Sequence, residues 1–137
     1  MQFSINYDPA ALTYTGVQNF NATLLGWGLG STGQPMPAGP LAPGNITFTW
    51  NDPLAGGVSL MDGETLVEIC FDVTTTTSTT VSFSGSPTPI EIINVDEMEV
   101  PFNSESGTIT VGGGGGNPID GFALLLPDVN ANQGDNV

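Results

Sequence analysis

Residues 63–73 constrain the fold of this chain more than any other stretch. Apolar side chains alternate along it: Leu66 and Cys70 fall on one side of an extended backbone, and the other side carries Val67, Ile69, Phe71 and Val73. Alternation with a period of two predicts a half-buried β-strand. Because the side with Leu66 and Cys70 is also partly apolar, we expect this strand in the middle of a β-sandwich.

Similar short stretches recur along the chain, and no segment combines a helical period with helix caps. Strands are predicted over residues 1–7, 12–18, 46–50, 81–83, 90–95, 100–102 and 108–111, with a short strand or bend over 58–61. The Thr-rich residues 74–80 are interpreted as a hairpin connection. About eight or nine short strands predict an all-β fold, a jelly-roll or Ig-like β-sandwich.

A run of glycines divides the chain into two unequal parts. The length of 137 residues predicts one main domain, with a sandwich over residues 1–111 and a Gly-rich linker over 112–117. Residues 118–137 then return to a strand pattern and are too apolar to remain free in water. They are predicted to be the opening strand of a following module or a strand donated to a neighbouring chain.

Four stretches resemble the cohesin-like family of modules. Residues 2–12, with Tyr-Asp-Pro at 7–9, are similar to its early strand, residues 63–73 to its central strand, and residues 107–111 to its closing strand. Residues 128–137, ending in Gly-Asp-Asn-Val, resemble the opening strand, which in the family precedes the equivalent of the early strand. The resemblance implies that the chain begins inside one module of a tandem array and ends inside the next.

The resemblance also implies a function. Cohesin-like modules are nine-stranded jelly rolls without catalytic activity. True cohesins of cellulose-degrading complexes bind dockerin modules, whereas variants with a Glu-Ile-Cys-Phe strand resemble repeats of very large secreted surface proteins of gliding bacteria, including filamentous attachment appendages. We therefore expect a secreted, non-catalytic structural or adhesive repeat of an extracellular bacterial cell-surface appendage or filament. Its expected partners are adjacent modules, neighbouring copies and surface glycans, and the alternative is a carbohydrate-binding or dockerin-binding module.

The charge of the chain excludes several classes of function. It has no Lys, Arg or His and 14 Asp and Glu residues, for a formal net charge of −14. Without cations it cannot neutralise phosphates, so neither nucleic-acid binding nor attraction to anionic lipid is expected. The lack of His excludes a Ser-His-Asp triad and a His-ligated zinc site. A carboxylate pair, as in glycosidases, remains for an enzyme, but 14 carboxylates always offer pairs, so we expect no enzymatic activity. No apolar run is long enough to insert into a membrane.

The single cysteine, Cys70, has two interpretations. A thiol beside apolar residues in a strand can behave as a small buried hydrophobe, and in an oxidising compartment it can form a disulfide. In the resembled modules the opening strand often carries a cysteine just after the equivalent of residues 134–137. The resemblance therefore makes Cys70 a candidate for a disulfide to that strand or to a neighbouring copy.

Two further kinds of site are predicted from single residues. Trp27 is the aromatic side chain expected to be exposed, and is therefore the candidate contact for a ligand such as a sugar. It lies in residues 19–44, a Gly- and Pro-rich stretch interpreted as either a lid over the core or a contact surface. The aspartates at turns, which can gather around calcium, are Asp8, Asp52, Asp62 and Asp96. No other metal or cofactor is expected.

The carboxylates have no side-chain cation to offset their mutual repulsion. Repulsion of this kind raises the pKa of a carboxyl in the folded state and is screened by salt. The sequence therefore predicts that stability rises as pH falls toward about 5 and as salt is added.

Overall fold

The computed structural model describes residues 1–111 and, beyond them, the backbone of one further strand at 122–125. In this described part the regular structure is eight strands and one turn of 3-10 helix at Leu29–Ser31. The strands are β1 (Gln2–Tyr7), β2 (Leu12–Gln18), β3 (Thr32–Gly33), β4 (Asn45–Thr49), β5 (Thr65–Val73), β6 (Thr79–Ser84), β7 (Gly107–Ile109) and β8 (Phe122–Leu125). None of the described segments forms a helix long and apolar enough to cross a membrane.

The eight strands form two antiparallel sheets. The larger sheet has the order β3-β4-β1-β6-β7, and the smaller has the order β2-β5-β8. The two sheets are joined through ring contacts, since Tyr7 of β1 and Phe71 of β5 have ring centroids 4.9 Å apart. This arrangement confirms the predicted all-β sandwich.

The core lies between the two sheets. Phe3 of β1 is opposite Phe48 of β4 in the larger sheet, with ring centroids 5.2 Å apart. Burying one such large apolar side chain stabilises a fold by roughly 1.5–3 kcal/mol, so these residues are the main source of stability. The buried apolar residues are Phe3, Ile5, Tyr7, Ala11, Leu12, Leu24, Trp27, Ile46, Phe48, Leu66, Val67, Ile69, Phe71, Val81 and Ile109.

Strand β5 is the predicted central strand. It lies between β2 and β8, and its alternating residues Val67, Ile69 and Phe71 are buried as expected. Leu66, which strict alternation places on the other side, is buried too. The register between β5 and β8 shifts between Thr65 and Val67. An extra residue of this kind interrupts the alternation of a strand, which accounts for two consecutive buried side chains.

Strand β8 belongs to the segment predicted to pack into a sheet. Its backbone pairs antiparallel with β5 of the same chain. Its assignment to a following module or to a neighbouring chain stays a prediction. The predicted linker at 112–117 and the predicted opening strand at 128–137 lie outside the described residues.

The connection after β5 is not the predicted hairpin. β5 belongs to the smaller sheet and β6 to the larger, so residues 74–78 cross from one sheet to the other. The backbone N–H of Thr74 donates to the carbonyl of Ala11 at 2.8 Å, which holds the start of this crossing beside β2. The threonines favour extended backbone but do not determine which sheet the next strand joins.

Two predicted strands, and a third segment predicted as a short strand or bend, are loops in the structure. Residues 58–61, 90–95 and 100–102 form no continuous ladder, and the second region makes only isolated pairs, Gln2 with Glu91 and Ile93 with Glu99. Pro89 and Pro101 flank this region, and a proline cannot donate a backbone hydrogen bond to a neighbouring strand. These segments therefore remain free to form surface loops.

Candidate protein-binding surface

Trp27 is not an exposed ligand contact. Only 7% of its surface is accessible, and its ring contacts Phe20 and Phe48 at centroid distances of 5.4 and 6.0 Å. The expectation of an exposed Trp27 is therefore wrong, because the loop folds this side chain into the core. Its Nε1 is buried and has no hydrogen-bond partner in the described part of the chain.

The segment 19–44 combines features of both of its interpretations. Leu24 and Trp27 are buried in the core, as expected for a lid, whereas Leu25, Leu29 and Met36 are exposed. Trp50 Nε1 donates to the carbonyl of Leu25 at 3.0 Å, which ties the segment to the end of β4. The segment therefore closes one end of the sandwich and still presents apolar side chains.

The four aspartates proposed for calcium lie at four separate turns, and two of them, Asp52 and Asp62, belong to one loop. Asp8 Oδ1 accepts the backbone N–H of Ala10 at 2.9 Å, and the Asp52 carboxylate accepts backbone N–H groups of its own loop. Within residues 1–111, no group of three or more acidic or Cys side chains is placed to hold a metal ion. Calcium binding through Asp8, Asp52, Asp62 or Asp96 stays a prediction, and the described residues do not bring these aspartates together in a cluster.

Cys70 lies in β5, between the buried residues Ile69 and Phe71. Successive side chains of a strand point to opposite faces, so Cys70 faces away from the core, and it is half-buried. Its partner in the β2 register is Gly16, which contributes no side chain. The disulfide predicted for Cys70 stays a prediction.

Two loops carry most of the large exposed apolar side chains of the described residues, and we call residues 51–64 and 91–99 together the two-loop surface. Of the nine large apolar side chains exposed in the described part, six belong to it: Leu54, Val58, Met61, Ile93, Val95 and Met98. Met61 and Leu54 are 80% and 77% exposed. Large exposed apolar groups of this kind mark interaction sites more often than isolated ones do.

The same two loops carry most of the negative charge. Residues 1–111 contain 11 carboxylates, and seven of them lie in the two-loop surface: Asp52, Asp62, Glu64, Glu91, Asp96, Glu97 and Glu99. No side-chain cation is present to neutralise them. The surface therefore combines apolar side chains with a strongly negative local field.

Asp52 organises the first loop. Its Oδ1 accepts the backbone N–H of Leu54 at 2.9 Å, and its Oδ2 accepts those of Gly56 and Gly57 at 2.9 and 2.8 Å. These hydrogen bonds, that from Leu54 foremost, lower the pKa of the Asp52 carboxyl below its ordinary value. The carboxylate thus holds the loop in a defined conformation that presents Leu54.

Glu64 fastens the other end of the first loop. Its Oε1 accepts Asn21 Nδ2 at 2.9 Å, and its Oε2 accepts the backbone N–H of Met61 at 3.1 Å. These two bonds, that from Asn21 foremost, lower the pKa of the Glu64 carboxyl. For both carboxyls the predicted raised pKa is wrong, because hydrogen bonds to the charged form lower the pKa more than desolvation raises it.

The second loop is a tight turn built on Asn94. Asn94 Oδ1 accepts the backbone N–H groups of Asp96 and Met98, both at 3.0 Å, and its own N–H donates to the carbonyl of Met98 at 3.0 Å. At the base of the loop, the backbones of Gln2 and Glu91 exchange hydrogen bonds of 2.8 and 2.9 Å. The turn therefore projects beside the first residue of β1, Gln2.

The two loops meet where Gly57 lies against Val95. Gly57 has a φ of +73°, and a Cβ built on it would clash with Val95 Cγ1. The close approach requires a residue without a side chain, so Gly57 allows the two loops to form one surface. The sequence patterns did not predict this surface. Met61 and Met98 lie next to turn residues in the sequence, and turns are usually at the surface. This placement was the signal that their side chains would be exposed.

An apolar surface interspersed with charged groups, on a β-sandwich, defines the class of a protein-interaction module. The sequence matches the cohesin domain family over residues 1–112, and the chain belongs to that family. Cohesin domains are non-catalytic binding modules.

Comparison with solved structures gives the same fold. The chain is similar to a chain in the crystal structure of a CaDoc0917 variant in complex with CaCohA2 at pH 5.5, with a TM-score of 0.56 and 18% sequence identity. The similarity covers 81% of this chain and 77% of that one. A search of curated proteins finds no significant match. At this identity the structural similarity supports the fold alone.

Proposed function

We propose that this chain is a non-catalytic protein-binding module that acts as a structural and adhesive repeat of a secreted bacterial surface protein, and that it binds through the two-loop surface. The observation that carries the proposal is the coincidence of exposed apolar side chains and carboxylates in two loops that contact each other at Gly57 and Val95. The extracellular setting is supported by membership of the cohesin domain family.

The apolar side chains of the surface supply its affinity. Met61 and Met98 are unbranched and adaptable, and exposed methionines suit surfaces that fit partners of varied shape. In protein interfaces a few central apolar anchors carry most of the binding energy. Leu54, Met61 and Met98 are the most accessible candidates for that role in the two loops, together with Val95.

The carboxylates select the partner. A surface with seven carboxylates and no side-chain cation attracts a protein that presents Lys and Arg around an apolar centre, and it repels an acidic one. Such attraction accelerates association and weakens as salt is added. We therefore propose a partner domain with a basic, partly apolar face, and a dockerin module is the first probe because of the solved complex.

The experiment compares three probes on the immobilised full chain: a dockerin module, a second copy of this chain and a panel of surface glycans. The test variant is Met61→Ser with Met98→Ser, and the matched control is Leu29→Ser, which removes an exposed apolar side chain outside the surface. Binding is measured by surface plasmon resonance at low and high salt.

We expect binding of a protein probe, with at least a tenfold loss in the double variant and little change in the control. Binding to the dockerin module supports docking to a basic partner, whereas binding to the second copy, which has no Lys or Arg, that is lost in the double variant contradicts the proposed choice of a basic partner. Binding only to glycans, or equal binding by the double variant and the wild type, overturns the proposal.

A further inference from the structure

Strand β8 occupies an edge of the smaller sheet. Its backbone pairs with β5 in a defined register, with Thr65 opposite Leu125, Val67 opposite Leu124, Glu68 opposite Ala123 and Ile69 opposite Phe122. Strand β2 covers the other edge of β5 over Leu12–Gln18. The smaller sheet is therefore completed by the last of the described strands.

The edge that β8 covers lies directly beside the core. Val67 and Ile69 of β5 are both fully buried, with accessible fractions of 0%. A strand edge without a partner exposes unpaired N–H and C=O groups, and such an edge recruits another strand. Buried backbone groups of this kind are nearly always hydrogen-bonded. The edge of β5 therefore requires a strand, whichever chain supplies it.

The covalent connection does not determine which chain supplies the strand. β7 ends at Ile109 at an edge of the larger sheet, and β8 begins at Phe122 at an edge of the smaller. The 12 residues 110–121 between them can span at most roughly 40 Å, several times the spacing of about 10 Å between packed sheets. A connection of this length reaches the chain's own β5 or that of a neighbour.

We propose that β8 of one copy pairs with β5 of a second copy, so that copies of this chain are linked by strand exchange. The exchanged strand makes the same backbone hydrogen bonds in the same register as the internal one. Because donor and acceptor are different surfaces, the contact can close a dimer or continue as an open chain of copies. This interaction uses neither loop of the two-loop surface and goes beyond the proposed function.

Two physical factors set the balance between internal and exchanged pairing. A tethered strand has an effective concentration of the order of millimolar at its own partner, so exchange increases with protein concentration. Each copy carries a formal charge of −14, so approach of two copies is opposed at low salt and eased at high salt.

The test uses cysteine pairs in the full chain, in a Cys70→Ser background. Glu68→Cys and Ala123→Cys are made as separate variants, because residues 68 and 123 are opposite each other in the register. Facing antiparallel residues have Cα separations of about 4.5–5.5 Å, within the range that a disulfide spans. The two variants are mixed at high concentration and high salt, oxidised mildly and analysed on non-reducing gels.

The matched control replaces Glu68→Cys by Thr13→Cys, which lies in β2 opposite Asp72 and not beside β8. Melting curves establish that all three variants fold. We expect a covalent mixed dimer from the 68/123 mixture, at least fivefold more abundant than from the 13/123 mixture and increasing with concentration. Equal yields from the two mixtures, or no mixed dimer, overturn the proposal whatever the two-loop surface binds.

Discussion

Trp27 packs edge-on against Phe48, with ring centroids 6.0 Å apart and an interplanar angle of 67°. Phe48 lies in β4, in the middle part of the larger sheet, and Trp27 lies in the long segment between β2 and β4. An edge-to-face contact of this kind is favourable beyond the area it buries. The pair therefore fixes an irregular segment to the regular core.

We predict that Trp27→Ala lowers the free energy of unfolding by about 3–5 kcal/mol, as for other large-to-small core substitutions. Trp27→Phe should cost less, because it retains an aromatic ring beside Phe48 and removes an N–H group that has no partner in the described part. Urea unfolding, followed by far-ultraviolet circular dichroism in place of tryptophan fluorescence, measures both changes.

The control for Trp27 is Leu29→Ala, in the same segment. Leu29 is 58% exposed, so its truncation should change the free energy of unfolding by no more than about 0.5 kcal/mol. A large effect of Leu29→Ala, or a small effect of Trp27→Ala, contradicts the role assigned to the Trp27 side chain.

Ser4 makes a buried polar contact with Thr88. Its side chain is fully buried in β1, and its hydroxyl donates to the carbonyl of Thr88 at 2.7 Å and accepts the Thr88 N–H at 2.8 Å. Ser4→Ala leaves both backbone groups of Thr88 without their partner, at a cost of about 1–3 kcal/mol. Thermal or urea unfolding of this variant measures the loss.

Ser84 provides the comparison for Ser4, since it lies opposite Ser4 in the register of β1 and β6. Its hydroxyl also hydrogen-bonds to a backbone, that of Ser86, but Ser84 is only half-buried and these bonds are exposed to solvent. Water can replace those bonds, so Ser84→Ala should have little effect. Similar losses for the two variants would mean that burial does not set the cost.

The sequence predicts strands where apolar alternation is uninterrupted. For β1, β2 and β5 the alternation describes one buried face, and these strands lie within a residue or two of the predicted positions. Alternation carries no information about which sheet a strand joins, because both sheets of a sandwich bury one face. The crossing from one sheet to the other after β5, at Thr74, therefore cannot be predicted from the alternation.

The candidate site was harder to predict than the fold. Trp27 sits among glycines and prolines, and local sequence does not show that Phe20 and Phe48 enclose it. The contact of Gly57 with Val95 joins residues 38 positions apart, and no local pattern indicates such a pairing. Surface loops depend on a few backbone hydrogen bonds, here those of Asp52 and Asn94, which do not appear as periodicity.

The pKa of Asp52 predicts a pH dependence opposite to that expected from repulsion alone. Because hydrogen bonds lower its folded pKa below the ordinary 3.8, the carboxylate stabilises the fold above that value. Its contribution is lost as pH falls through the folded pKa. Asp52→Asn should therefore lower the melting temperature at neutral pH, and the difference from wild type should vanish in strong acid.

Asp62→Asn is the control for Asp52. Asp62 lies in the same loop, and within the described residues its carboxylate accepts none of these loop hydrogen bonds. At neutral pH, Asp52→Asn should lower the melting temperature more than Asp62→Asn, because only the Asp52 carboxylate accepts backbone hydrogen bonds of the loop. A difference in melting temperature between Asp52→Asn and wild type that grows as pH falls would contradict the lowered pKa of Asp52.

The junction of the two loops can be tested by adding one methyl group. Gly57 and Gly63 have φ values of +73° and +76°, so alanine at either position costs about 1–2 kcal/mol in backbone strain. Only at Gly57 does the new Cβ also meet Val95, since nothing lies within 4 Å at Gly63. Gly57→Ala should therefore lower the free energy of unfolding more than Gly63→Ala.

Truncation of Val95 identifies the origin of that excess. In Gly57→Ala with Val95→Ala the clash is relieved, so the loss should fall to that of Gly63→Ala combined with Val95→Ala. Urea unfolding of the single and double variants gives the coupling energy between positions 57 and 95. Substitutions at residues that do not touch usually have additive effects on the free energy of unfolding. A coupling energy near zero would therefore mean that the two loops are separate and do not form one surface.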